Sequence, residues 1–124
     1  IRMFINSIFE IINNQNELEA RVYIFPTSAL KIKGKKINYF GFITGLENEE
    51  CNKALIRIFP KINLEKIYKI IDQTPYITDI RKEFYKKILN MRYNIILKNS
   101  YESLKNKWII KTRKENKHLW KKKN

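Results

Sequence analysis

The sequence predicts a mainly α protein, with a small helical core, an N-terminal extension helix and an extended basic C-terminal tail. Three observations predict it. Apolar residues recur every three or four positions through the middle of the chain, the spacing of a helix that buries one face. Asn48, Asn63 and Thr78 each stand where a helix N-cap is wanted. Positive charge gathers towards the C-terminal end. At 124 residues the chain has room for one compact core and little else. The expected layout is an extension over residues 1–20, a helical core domain over 21–98 and a basic tail over 99–124.

In order along the chain, residues 1–14 place Met3, Phe4, Ile8 and Ile11 or Ile12 at helical spacing, and the polar run from Asn13 to Asn16 stops the pattern. This predicts a short docking helix. Arg21 to Phe25 is β-prone and Pro26 interrupts it; Lys31 to Lys36 reads as a basic loop around Gly34. Residues 37–46 read as a strand on aromatic and β-branched content alone. Asn48 then offers a cap, Glu49 and Glu50 suit the positive end of a helix, and Cys51, Leu55 and Ile58 share one face until Pro60 ends it. Asn63 caps a helix with the stripe Leu64, Ile67, Ile70 and Ile71, broken by Thr74-Pro75. Thr78 caps a longer one carrying Ile80, Phe84, Ile88, Met91 and Ile95. Ser100 is the expected cap of a last helical piece with Leu104 and Trp108, after which the chain is expected to be extended.

Twenty-six Lys and Arg face twelve Asp and Glu, a formal charge of +14, which implies a negatively charged partner. Its distribution matters more than its size. Residues 1–30 hold three acids against two cations, whereas residues 91–124 hold eleven cations against two acids. Isoleucine, lysine and asparagine dominate, as AT-rich codons would make them. The same codon bias nevertheless leaves the first thirty residues slightly acidic, so the tail calls for a functional account.

Cys51 and His118 are the only residues of their kinds. That excludes an intrachain disulfide and a Cys/His zinc set. No run of about 18 apolar residues is present to span a bilayer. The chain begins at Ile1 without an initiator Met, so an upstream segment, a targeting peptide included, is compatible with it. His118 sits among lysines, and no glycine-rich phosphate loop or nucleophile motif is found. Asp72, Asp79 and Glu83 read as a capping and surface-charge set rather than a metal site. No enzymatic activity, metal or cofactor is expected.

The tail carries the binding signal. Lys105, Lys107, Lys111, Arg113, Lys114, Lys117, Lys121, Lys122 and Lys123 interleave with Trp108, His118 and Trp120, combining phosphate neutralisation with flat rings for stacking on unpaired bases. Lys31, Lys33, Lys35, Lys36, Gly45, Lys53, Arg81 and Lys82 complete the expected RNA-binding set. An alternative comes from Asn38 to Ile43 followed by Glu49 to Leu55, which resembles the third strand and second helix of an RNA-recognition motif. On that alternative the chain is a free-standing single-stranded RNA binder that stacks bases on Tyr39, Phe40 and Phe42.

Taken in order, the elements after residue 21 resemble the bacterial-type small-subunit ribosomal protein thirteen family. The points of contact are Asp79-Ile80-Arg81-Lys82-Glu83-Phe84, similar to that family's Asp-Leu-Arg-Arg-Glu-Ile helix start; Ser100-Tyr101 with Leu104 and Lys105; and Ile43-Thr44-Gly45-Leu46-Glu47 in place of a Tyr-Gly-Ile-Gly turn. Glu47 departs from the second glycine there and would repel a phosphate. The resemblance implies a helix-two-turns-helix motif and makes residues 37–43 helical, against their strand-like composition. It implies a structural role in the head of the small ribosomal subunit, with rRNA, small-subunit protein nineteen, large-subunit protein five and tRNA as neighbours. Its divergent, extended form, with the codon-like bias, implies a mitochondrial ribosome. No membrane partner is expected.

Overall fold

The computed structural model describes residues 8–25 and 27–123. The expectations placed on Met3, Phe4 and Pro26 lie outside them. The elements in chain order are α1, described over residues 8–12, α2 (Gln15–Tyr23), β1 (Thr27–Ile32), β2 (Lys35–Asn38), α3 (Tyr39–Thr44) and α4 (Glu49–Ile58). A 3-10 turn (Phe59–Lys61), α5 (Leu64–Gln73), α6 (Asp79–Arg92), a π-helical stretch (Tyr93–Lys98) and α7 (Asn99–Lys123) follow. The mainly α class is therefore what the chain adopts, with a single antiparallel hairpin among the described residues.

One device starts helix after helix. The side-chain oxygens of Asn14, Asn38, Asn48 and Asn63 accept from the backbone N–H three residues on, at 3.2, 3.0, 2.9 and 3.2 Å. Thr78 does the same for Arg81 at 3.3 Å. Each satisfies a first-turn donor that the helix cannot satisfy itself. The caps at Asn48, Asn63 and Thr78 are those the sequence announced. Asn14 differs: the asparagine run expected to stop one helix starts the next. Arg21 to Tyr23 is correspondingly helical rather than β, because Leu18 and Val22 are buried on one face of α2 and Arg21 pairs with Glu17 one turn back at 3.1 Å.

The basic loop is a tight hairpin. Lys33 and Gly34 both take positive φ, 52° and 80°, the twist a two-residue connection needs to match its strands, and Ile32 faces Lys35 across it. Residues 39–44 form α3 rather than the strand their composition suggested. Asn38 decides this: its side-chain oxygen caps α3 while its amide donates to the Tyr23 and Ile24 carbonyls at 3.2 and 3.1 Å, anchoring the start of α3 to the end of α2.

The described core consists of Ile8, Ile12, Leu18, Val22, Leu55, Ile88 and Ile96. Three of these precede residue 21, and the boundary expected at 20/21 falls inside α2. Arg92, at the end of α6, donates from Nε and Nη2 to the Arg21 carbonyl at 3.1 and 2.8 Å, fastening α2 to α6. Asp72 of α5 pairs with Lys86 of α6 and its carbonyl receives the Lys82 ammonium at 2.7 Å. Phe59 lies between Tyr93 and Tyr101, with centroids at 5.1 and 4.6 Å, so that the 3-10 turn, the π-helical stretch and α7 share one aromatic cluster.

The last helical piece, expected to give way to an extended chain beyond Trp108, continues as one helix over residues 99–123. They contain no Gly or Pro, and Lys, Leu, Ile and Arg are tolerant of helical geometry. Ser100 does not cap a new helix. It is buried in the run from α6, and its hydroxyl donates to the Ile96 carbonyl.

Candidate functional site

The expected RNA-binding residues divide among separate elements. Lys31, Lys33, Lys35 and Lys36 are exposed on the hairpin, with Lys31 opposite Lys36 in the register, a like-charge arrangement that costs stability unless an anion sits nearby. Lys53 is exposed, 3.7 Å from Glu50. Lys82 is spent on the Asp72 carbonyl, and Arg81 is half-buried at the start of α6. Gly45 follows α3, and its N–H donates to the Gly41 carbonyl at 3.0 Å. The amide is therefore not turned outward towards an anion, and the Asn48 cap occupies the next helix start in the same way.

On α7, Lys107, Lys111, Arg113, Lys114 and Lys117 are exposed, Trp108 is 68% exposed, and the Lys105 ammonium lies 5.5 Å from the Tyr101 ring centroid. Lys107, Ile110, Lys111, Lys114 and Glu115 line a shallow surface depression. His118, Trp120, Lys121, Lys122 and Lys123 fall on the helix, with side chains outside the described residues.

Two concavities were not announced by the sequence. One is almost wholly apolar, about 180 Å3, lined by Ile43, Cys51, Ala54, Leu55, Ile58, Phe59, Ile62 and Leu97. Burial pushes the Cys51 thiol up from its ordinary range, because a thiolate is costly beside apolar side chains. The other is an open groove of about 580 Å3 between α2, α5 and α6. Leu18, Met91 and Ile95 give it apolar surface; Gln15, Tyr68, Lys86, Lys87, Asn90 and Asn94 give it polar surface. The Asn90 amide donates to the Tyr68 hydroxyl at 3.1 Å, and the Asn94 amide to the Asn90 carbonyl at 2.9 Å. Asn94 and Ile95 belong to the π-helical stretch, a rare geometry that concentrates at functional positions. The signal for this groove was present as asparagine and lysine, but codon bias hid it.

Among the described residues no group of three or more His, Cys, Asp and Glu is placed to hold a metal ion. No helix of the described residues is long and apolar enough to cross a membrane. No known family's sequence profile matches the chain. The serine/threonine-protein kinase CtkA of Helicobacter pylori is 45% identical over 89 residues, which are 71% of this chain and 27% of the kinase. The chain resembles part of a bacterial kinase. The crystal structure of the H. pylori proinflammatory kinase CtkA agrees: TM-score 0.75 at 40% identity, covering 80% of this chain and 34% of the solved one. The chain thus spans 27 to 34% of the length of the relatives it matches.

These findings overturn the ribosomal reading. The similarity runs to a kinase and not to the small-subunit protein thirteen family, and with that family go the structural role in the subunit head, the helix-two-turns-helix analogy, and rRNA, protein nineteen, protein five and tRNA as partners. The physical reason is plain in the structure. Asp79 to Phe84 matched because a Thr-capped helix with an acid in its first turn is a common solution to a common problem, and Ser100-Tyr101 lies inside a continuous helix. The recognition-motif alternative falls too: Tyr39, Phe40 and Phe42 sit on helix α3, where Phe40 packs edge-on against Tyr23 at 4.7 Å, not on a base-stacking strand. The mitochondrial assignment, drawn from composition, is corrected by relatives that are bacterial.

Proposed function

We propose that this chain is a helical, non-catalytic portion of a kinase-type protein related to CtkA, contributing the body against which a phosphoryl-transfer centre is built. The observation that carries the proposal is the 45% identity over 89 residues, supported by the backbone agreement with the solved kinase. The chain's surface also supports it. Large apolar side chains such as Ile24, Phe25, Ile70 and Tyr76 remain 64, 53, 66 and 104% exposed, as they would at faces that pack on further protein.

Three of the twelve acids have structural tasks. Asp72 serves Lys86, Asp79 lies in the first turn of α6, and Glu17 pairs with Arg21. On this reading the isolated chain, given magnesium and labelled ATP, incorporates no phosphate and transfers none to a serine-containing acceptor. Incorporation would overturn the non-catalytic assignment. The kinship itself is tested by a chimera in which this chain replaces the corresponding segment of CtkA. Retained kinase activity supports the proposal; a soluble, folded and inactive chimera counts against it.

A further inference from the structure

We infer that the groove between α2, α5 and α6 is a docking site for an extended acidic peptide that carries a large apolar side chain. The inference stands on the groove alone and does not depend on the kinase reading.

The groove joins two chemistries. Its apolar surface, from the half-buried Met91 and Ile95 above the buried Leu18, can take one aliphatic side chain out of water. Its polar surface is made chiefly of amides and a phenol, groups that donate and accept together. An extended backbone presents alternating N–H and C=O groups and needs such a two-way partner. Some of that capacity is spent within the groove: Asn90 donates to Tyr68, Asn94 donates to Asn90, and Gln15 donates to Glu19 at 3.2 Å. The side-chain carbonyl oxygens of Gln15 and Asn94 and the hydroxyl proton of Tyr68 are not used by any described partner.

Charge fixes the class of peptide. Lys86 is held by Asp72, which leaves Lys87 as the principal cation. Its ammonium makes a long contact of 3.4 Å with the Ile12 carbonyl and keeps donors to spare. Glu19 accepts from Gln15 at the α2 wall, so the selective positive charge is at the Lys87 end. The groove lining holds two lysines and no Asp or Glu, a local charge that favours acidic peptides over basic ones. A volume of about 580 Å3 falls within the range of ordinary ligand sites and suits a few residues rather than a folded surface.

The probe is a fluorescein-labelled peptide, Glu-Glu-Leu-Glu-Asp-Leu-Glu, titrated with the full chain by polarisation at moderate salt. Its analogue with Gln and Asn for Glu and Asp, and a second with Ala for Leu, serve as comparisons. Binding that weakens about tenfold in both analogues, and as much in Lys87→Gln and Asn94→Ala, is the expected result. A double variant on α7, Lys111→Gln with Lys114→Gln, is expected to bind as the parent does. Circular dichroism checks that each variant is folded. No binding, equal binding of the Ala analogue, or a loss as large in the α7 variant as in Lys87→Gln would each overturn the proposal, the last by showing that unspecific charge attraction is the whole effect.

Discussion

Arg92 shows how much of the fold hangs on one side chain. Its guanidinium makes two hydrogen bonds to the Arg21 carbonyl, at the C-terminal end of α2 where carbonyls lack partners and the helix dipole is negative. Burial, and then the neighbouring Arg21 charge, lower its pKa, yet an arginine stays charged throughout the working range. Replacing Arg92 with Met is expected to cost about 2 kcal/mol, the range for a bond to a charged group that leaves an acceptor stranded, and urea unfolding measures it. Cys51 gives a pH-dependent counterpart. Its raised pKa means less thiolate at any given pH, so iodoacetamide at pH 8 should modify it more slowly than it modifies a free cysteine. A folded pKa above the unfolded one also means that the stability involved is present below the ordinary thiol pKa and is lost as pH rises through the raised value. At this scale the caps were legible, because a cap is a local event three residues wide. Arg92 was not legible, because its partner is a backbone carbonyl 71 positions away.

Elements were readable wherever their own residues settled the matter. α4 and α5 carry cap, stripe and terminator within one stretch of sequence, and α6 carries cap and stripe. α3 is different: Tyr-Phe-Gly-Phe-Ile-Thr has strand-like composition, and what makes it helical is the contact of Asn38 with the end of α2, a tertiary preference that overrides propensity. The hairpin turn offers a direct test. Lys33 holds φ 52° ahead of a glycine, a position that asparagine tolerates better than lysine. Lys33→Asn should therefore raise stability, by about 0.5 kcal/mol, and move the thermal midpoint upward. α7 offers another. Lys107, Lys111 and Lys114, and likewise Arg113 and Lys117, follow one another at three- and four-residue spacing, so their repulsion opposes the helix that residue propensity favours. Raising salt from about 10 mM to several hundred millimolar screens that repulsion. Helicity at 222 nm should increase; a decrease would mean that charge is not what limits α7.

At the scale of the molecule the sequence disclosed the class and misjudged the company it keeps. Mainly α followed from periodicity, but partner and compartment were inferred from cations and codon bias, and lysine-rich composition does not specify which partner. Identity lay in the ordered detail of 89 residues, which no single motif summarises. Seven buried hydrophobics among the described residues make a thin core, and urea unfolding of the isolated chain should give less than the roughly 5 kcal/mol at the lower edge for ordinary domains. The candidate groove escaped notice because its parts come from residues 15 to 95 and meet only when α2 lies along α6. The unbroken run from Asp79 through the π-helical stretch to Lys123 has a mechanical consequence. Forty-five residues at about 1.5 Å each give roughly 65 Å of helix measured along its axis, nearly twice the ~35 Å diameter of a compact chain this size. The Phe59, Tyr93 and Tyr101 rings tie the 3-10 turn to the middle of that length, so the same continuous backbone that lines the groove at Asn94 and Ile95 also carries the exposed cations of α7.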